Sequence, residues 1–582
     1  MSNGVLDLLD DRSDTSRLLR GKVPRLCSFD DRTVRSGIRR FDKILYAPQQ
    51  VRRDLPCEED AAARLLEIGA GGLNRIIRLC GALFAAVIWH AGALAGPIVA
   101  TKDGAIEGVD KGGASAFLGV PFAAPPVGNL RWRAPAPVAK WTDTRPANGF
   151  GPDCIQEPMS SPPGPGFVNP SSEDCLYLNI WRPQVSGERL PVMVWIHGGA
   201  FIMGAGSFPS YDGAAFARKG VILVTLNYRL GRFGTFAHPA LRREQAGHPV
   251  ADFGLLDQIA ALAWVRDNIA GFGGDASNVT IFGESAGASS VNFLMASPLA
   301  KGLFAKAISE SGGSSNNLKT FAAAEAEGAA WAKTAGVADN DLEALRALPA
   351  DKVWGAPVTT VASPVVDETV VTQSTDDAFH AGAVAQVPYL VGANSREESL
   401  LRWLPGLDEA FLKTLGERGD AALSLYEAAG LDRKTAVAKL WGEAAMVEPA
   451  RFRARQAARR GAATWLYHYG YVPDAAAGTT TGAGHEAEIE MVFNNPDQRW
   501  PKPWSTRDAA MAETIQAYWI NFARTGNPNG PGLPTWPAYT LKDDTLMAFS
   551  TAGAVAAERF GKGRLDLLEA AYAERKSWAP AP

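Results

Sequence analysis

Apolar residues fall in short continuous runs along the C-terminal five-sixths of the chain, separated by segments with helical spacing. Residues 190–197 and 221–227 are rich in Val, Ile and Leu and predict strands. Shorter runs at 279–282, 387–392 and 464–469 predict three more. Between them, Leu256, Ile259, Leu262 and Ala263 fall on one face of a helix over 256–268. The stretches 321–350, 406–460 and 507–524 are also helical in pattern and are expected as insertions covering the sheet edge. Gly526-Asn527-Pro528-Asn529-Gly530 ends the last of them. Apolar strands without alternation, set between helices, imply an α/β fold: a large, mainly parallel sheet buried on both faces. Chemistry in such sheets gathers at the carboxyl ends of the strands, so those ends are where reactive side chains are sought.

The first 95 residues follow a different pattern. Residues 1–72 are rich in Arg and Asp and lack sustained periodicity, and are expected to be a disordered or mis-assigned extension. Asn74-Arg75-Ile76-Ile77-Arg78 is a short basic stretch before an apolar run at 79–89, and Ala93-Leu94-Ala95 is a small-x-small site. This predicts a signal peptide over 73–95, cleaved after Ala95, with translation starting near Leu73. The exported remainder, 96–582, is expected to be one domain in the periplasm or outside the cell, with no stable membrane span once the signal is removed. The net charge of -4 over 582 residues is too small to recruit nucleic acid. Five cysteines are too few for a disulfide scaffold. By spacing alone Cys154 and Cys175 are two unpaired thiols, although a bond between them would close a loop worth roughly 3 kcal/mol.

The strand at 279–282 runs into Gly283-Glu284-Ser285-Ala286-Gly287 and then a small-residue helix. Gly-x-Ser-x-Gly between strand and helix holds a serine clear of the backbone on a sharp turn, at a helix N-terminus that favours developing negative charge. Upstream, the strand at 190–197 ends in His197-Gly198-Gly199-Ala200-Phe201. Small residues there let a substrate carbonyl approach main-chain amides. The expected oxyanion donors are Gly199, Ala200 and Ala286.

A serine nucleophile needs a base, and the order Ser, acid, His leaves His468 and His485 of the seven histidines. His468 lies mid-strand in Trp-Leu-Tyr-His-Tyr and is expected to be a packed histidine. His485 lies in a glycine-rich loop able to carry an imidazole to the strand ends. For the acid, the chemistry alone leaves Glu397, Glu398 and Asp367 open.

The chain resembles the type-B carboxylesterase family, which includes the cholinesterases, over about residues 105 to 540. Carrying the resemblance are Phe117-Leu118-Gly119-Val120-Pro121, Pro125-Pro126-Val127-Gly128 and Ser172-Glu173-Asp174-Cys175-Leu176-Tyr177-Leu178-Asn179. Asn227-Tyr228-Arg229-Leu230, Gly254-Leu255-Leu256-Asp257-Gln258, Phe272-Gly273-Gly274-Asp275 and Asn521-Phe522-Ala523 add to it. The resemblance implies an α/β-hydrolase fold and a Ser285-His485-Glu397 triad acting through an acyl-enzyme on small to medium hydrophobic esters. It also implies a Cys154–Cys175 disulfide and no cofactor or metal. Glu284 is expected to tune the site electrostatically. Arg396, Glu398 and Glu486 depart from the family pattern and are expected to be solvated loop charges. No Trp lies between Cys154 and Cys175, which argues against a cholinesterase. An amide or carbamate hydrolase and a binding module on an inactive hydrolase fold are the competing functions. The presence of all three triad residues weighs against the second.

Overall fold

The apolar runs form the middle of an eleven-stranded sheet because both of their faces are covered. The computed structural model describes residues 96–156, 169–184, 189–314, 318–338, 341–355, 363–496 and 503–573. The extension at 1–72 and the signal peptide at 73–95 lie outside the described residues. The described residues form one compact unit.

The strands are β1 (Val109–Asp110), β2 (Ala114–Pro121), β3 (Tyr177–Pro183), β4 (Leu190–Ile196), β5 (Ile222–Leu226) and β6 (Gly274–Glu284). They continue with β7 (Lys306–Glu310), β8 (Tyr389–Asn394), β9 (Thr464–Tyr469), β10 (Thr545–Ser550) and β11 (Gly553–Glu558). Their spatial order is β11-β10-β9-β8-β7-β6-β4-β5-β3-β2-β1. The seven strands from β10 to β5 are mutually parallel. β11 at one edge and β3, β2 and β1 at the other pair antiparallel.

Alternate residues of one strand enter two separate cores. Val192, Val194 and Ile196 of β4 pack with helices α1 (Phe253–Asn268), α2 (Ala286–Ala296) and α3 (Glu448–Arg459). Met193 and Trp195 pack on the other face with α4 (Thr506–Thr525). A strand buried on both sides has no polar face, which is why these runs do not alternate. In α1 the first six residues are all buried, so its apolar surface wraps wider than the single face read from the sequence.

α3 was expected as edge cover; it instead packs on β8 and β9, within the layer that covers the parallel strands. The rest of 406–460 divides into Leu407–Leu415, Glu417–Ala428, Arg433–Gly442 and a π-helical turn, Glu443–Val447. The 321–350 stretch likewise divides into Phe321–Thr334 and Leu342–Ala347, and a further short helix runs over Ala350–Trp354. α4 begins at a capping box of Ser505 and Asp508 and ends at Gly526, whose φ of 77° closes the helix in the left-handed region. Cys154 and Cys175 are disulfide-bonded, in place of the unpaired thiols that spacing alone suggests. Among the described residues no helix is long and apolar enough to cross a membrane.

Candidate active site

β6 delivers Ser285 to the carboxyl end of the sheet. The residue takes φ 55° and ψ −120°, a conformation held by its surroundings, between the end of β6 and the first turn of α2. Its N–H donates to the Glu310 carbonyl of β7 at 2.9 Å, and its carbonyl accepts from Ser289 N–H at 2.8 Å. The glycines of the motif permit this turn to sit against β4. A Cβ on Gly283 would lie 2.5 Å from the Ile196 carbonyl oxygen, and one on Gly287 would lie 1.9 Å from it.

The segment after β4 coils through Gly199, Ala200 and Phe201, all at positive φ (101°, 54° and 61°). The Gly199 carbonyl accepts from the amides of Ile202 and Met203. Among the described residues, no protein acceptor takes the amides of Gly199, Ala200 or Ala286. His197 supports this loop. Its Nδ1 lies 2.8 Å from the Gly198 carbonyl, its ring stacks on Tyr228 at 4.4 Å, and the Tyr228 hydroxyl donates to the His197 carbonyl. Burial pushes the His197 imidazole down to about 4, so it serves as a neutral strut. The Tyr228 support was not apparent in the sequence, although Tyr228 stands in one of the motifs that carry the resemblance.

His485 Nδ1 lies 2.6 Å from Glu397 Oε2. Glu397 sits at the start of a short 3-10 segment after β8 and is 1% exposed. Its Oε1 accepts from Ser311 Oγ at 2.6 Å and from the Asn394 amide at 2.7 Å. Ser311, at φ 55° just past β7, is a partner the sequence did not reveal, because no motif marks it. Bonds that stitch the histidine loop to the acid loop include Arg396 N–H to the Ala483 carbonyl, Ala483 N–H to Ser395 Oγ, and His485 N–H to Ser399 Oγ.

The other face of the imidazole meets Glu284: Nε2 stands 3.2 Å from Glu284 Oε1. No hydrogen bond joins Nε2 to Ser285 Oγ in this conformation. Such bonds commonly tighten only when substrate is bound. Burial drives the Glu284 carboxyl well above its usual range, with His485 opposing and the carboxylates of Glu486, Glu488 and Glu397 adding to it. Burial pushes the His485 imidazolium down, but the carboxylates of Glu284 and Glu397 outweigh it and raise it above the ordinary imidazole range.

The remaining sequence candidates lie elsewhere. His468 is in β9 with its ring 4.2 Å from Phe560, and burial, with Lys439 and Arg564, lowers it to about 3. Asp367 Oδ1 accepts the amides of Thr369, Val370 and Val371, closing a turn. Glu398, expected to be solvated, is half-buried and 3.8 Å from Lys439 Nζ. Burial raises its carboxyl, with Lys439 opposing. Glu486 is also half-buried, at φ 66°. Arg396 Nη1 donates to Thr480 Oγ1, which fastens it to the histidine loop. Among the described residues no group of three His, Cys, Asp or Glu side chains could hold a metal ion.

A parallel-centred sheet whose strand-to-helix turn presents a serine, followed by an acid loop after β8 and a histidine loop after β9, defines the α/β-hydrolase class. The chain belongs to the carboxylesterase family, whose model matches residues 95–415 and 423–566, and is an ester hydrolase. It is 38% identical over 465 residues to the para-nitrobenzyl esterase of Bacillus subtilis, covering 76% of this chain and 92% of that protein. It is 36% identical over 483 residues to the fumonisin B1 esterase of Sphingopyxis macrogoltabida, covering 78% and 86%. Among solved structures, a PNB esterase aligns with TM-score 0.70 at 34% identity, covering 81% of this chain and 99% of that one. A Geobacillus stearothermophilus carboxylesterase aligns with TM-score 0.68 at 33% identity, covering 82% and 99%.

Proposed function

We propose that Ser285, His485 and Glu397 form the catalytic triad of this ester hydrolase, acting on small to medium hydrophobic carboxylic esters. The observation that carries this reading is the 2.6 Å contact of Glu397 with His485 Nδ1, which leaves Nε2 turned toward Glu284, the residue before Ser285. His485 takes the Ser285 proton as Oγ attacks the ester carbonyl. The amides of Gly199, Ala200 and Ala286 receive the oxyanion, aided by the N-terminus of α2. His485 then protonates the departing alcohol and activates the water that releases the acid. Glu397 holds the imidazole tautomer, and Ser311 and the Asn394 amide hold Glu397.

Phe201 and Met203 place apolar surface beside the oxyanion loop, which suits a hydrophobic acyl or alcohol group. The name of one relative, a para-nitrobenzyl esterase, supports the same substrate class. We also propose that the mature protein begins after Ala95 and works in the periplasm or outside the cell. The Cys154–Cys175 bond suits an oxidising compartment.

The test is hydrolysis of p-nitrophenyl esters from acetyl to decanoyl by the chain starting at Gly96 and by its Ser285→Ala variant. The expected result is turnover that the substitution lowers by at least about a thousandfold. Turnover that survives the loss of Ser285 would remove it as nucleophile. Mass spectrometry of the exported protein checks the start.

A further inference from the structure

The sheet register lines up a row of side chains behind the triad. Glu284 of β6, Glu310 of β7, Gly392 of β8 and Tyr467 of β9 are successive partners across four parallel strands. Registered partners share a face. Here it is the face under α4, where Trp519 Nε1 donates to Glu310 Oε1 at 2.7 Å. Gly392 leaves room that Tyr467 fills: a Cβ on Gly392 would come 2.3 Å from Tyr467 Cγ.

Glu488, from the loop after His485, reaches the same strand at Asn394, two residues beyond Gly392 on β8. Its Oε2 accepts from Asn394 Nδ2 at 2.5 Å. Asn394 is the junction, since its amide donates to Glu397 Oε1 and its Nδ2 also donates to the carbonyl of Gly484, the residue before His485. Glu310 touches the third part of the site through its own carbonyl, which holds the Ser285 amide. Yet Glu310 Oε2, Glu488 Oε1 and the hydroxyls of Tyr467 and Tyr469 are buried with no hydrogen-bond partner in the protein. Two ionised carboxylates cannot share such surroundings without a heavy cost.

We propose that Glu310 and Glu488 together hold one proton and act as a positioning pair, keeping Asn394, and with it Glu397 and His485, in the geometry the reaction needs. This rests on the triad reading above. Burial and then the Glu488 charge raise the Glu310 carboxyl, and burial holds Glu488 up to about 7. Facing the pair are Glu284 from β6, Glu397 from the acid loop, and Tyr467 and Tyr469 from β9. Glu490 and Asp508 add negative charge near Tyr469, and His485 favours the ionised form of Glu488. An acid held above its ordinary range keeps its proton at neutral pH and gives it up as pH rises. The shared proton is then lost on the alkaline side, two buried charges repel, and the Asn394 junction loosens. That lowers kcat while leaving KM nearly unchanged.

The experiment is kcat and KM against pH for the parent protein and for Glu310→Gln, which keeps an acceptor for Trp519 but cannot ionise. The alkaline fall in kcat is expected to move up by about one pH unit or more in the variant. A variant profile that superimposes on the parent's overturns the pairing. Infrared difference spectra of the parent across the same range provide a second reading that needs no variant. A neutral-carboxyl band should disappear in step with kcat, and the absence of any band titrating there would also overturn it. Loss of turnover in Ser285→Ala with an unmoved Glu310→Gln limb would sink the pair alone, whereas turnover surviving in Ser285→Ala would sink the triad reading and leave the infrared result standing.

Discussion

Glu284 shows how one residue beside the proposed nucleophile can set the working pH. It is 1% exposed and its Oε1 points at His485 Nε2 rather than at solvent. Burial holds the Glu284 carboxyl up and the His485 imidazolium opposes that; where the two ionise as a pair the imidazolium is favoured, and the neutral base that would take the Ser285 proton appears only as pH rises. Glu284→Gln removes that attraction. The acid limb of kcat/KM should move to lower pH by about one unit, or about 1.4 kcal/mol of imidazolium stabilisation. An unmoved limb would mean that Glu284 carries no charge when His485 titrates. The sequence placed Glu284 next to Ser285 but gave no view of which way its side chain turned. The same holds for Ser311: its bond to Glu397 depends on a strand register, and nothing in Glu-Ser-Gly-Gly announces it.

At the scale of elements, the Gly-x-Ser-x-Gly turn was legible because its glycines answer a steric demand that any such turn imposes. Gly287 lies so close to β4 that a Cβ would sit 1.9 Å from a main-chain carbonyl, which cannot swing away as a side-chain tip could. Gly287→Ala should therefore cost about 3 kcal/mol or more, as overpacking against backbone does. Gly302, at φ 80° with nothing within 4 Å of its would-be Cβ, supplies the contrast. Gly302→Ala should cost only about 1 kcal/mol of backbone strain. Urea denaturation of both variants checks this, and equal losses would mean the elbow tolerates displacement from β4. Strand 464–469 was read to the residue, while the run at 279–282 belongs to the longer β6, Gly274–Glu284. The polar residues Asp275, Ser277 and Asn278 hid its beginning, since pairing rather than hydropathy extends the strand there. The helices at 406–460 were recognised as helical, but the assignment of α3 to the sheet edge failed. Its hydrophobic pattern is carried by alanines, which pack closely on β8 and β9 without marking which surface they meet.

The whole molecule adds a covalent constraint. Cys154–Cys175 closes a loop of 21 residues, which in the chain-entropy account stabilises the fold by roughly 3 kcal/mol. Thermal melts with and without a reductant should show a lower Tm for the reduced protein. The same melt repeated on Cys154→Ser should show no further response to reductant. A parent protein whose Tm ignores reduction would remove the bond from the stability of the fold.

By itself the sequence determined the kind of sheet, the strand that carries Ser285, the glycine loop after β4 and the histidine loop. Each of these is written in local terms, as hydropathy, spacing or a steric need for glycine. Only the tertiary structure decided what depends on strands far apart in the chain coming into register. Spacing left the acid open among Glu397, Glu398 and Asp367 and the family resemblance pointed to Glu397; its 2.6 Å approach to His485 depends on the order of β6, β7, β8 and β9. The carboxylates of Glu284, Glu310 and Glu488 gather behind the site for the same reason. A charge's neighbours, and hence its proton, are set by distances through space that no stretch of sequence contains.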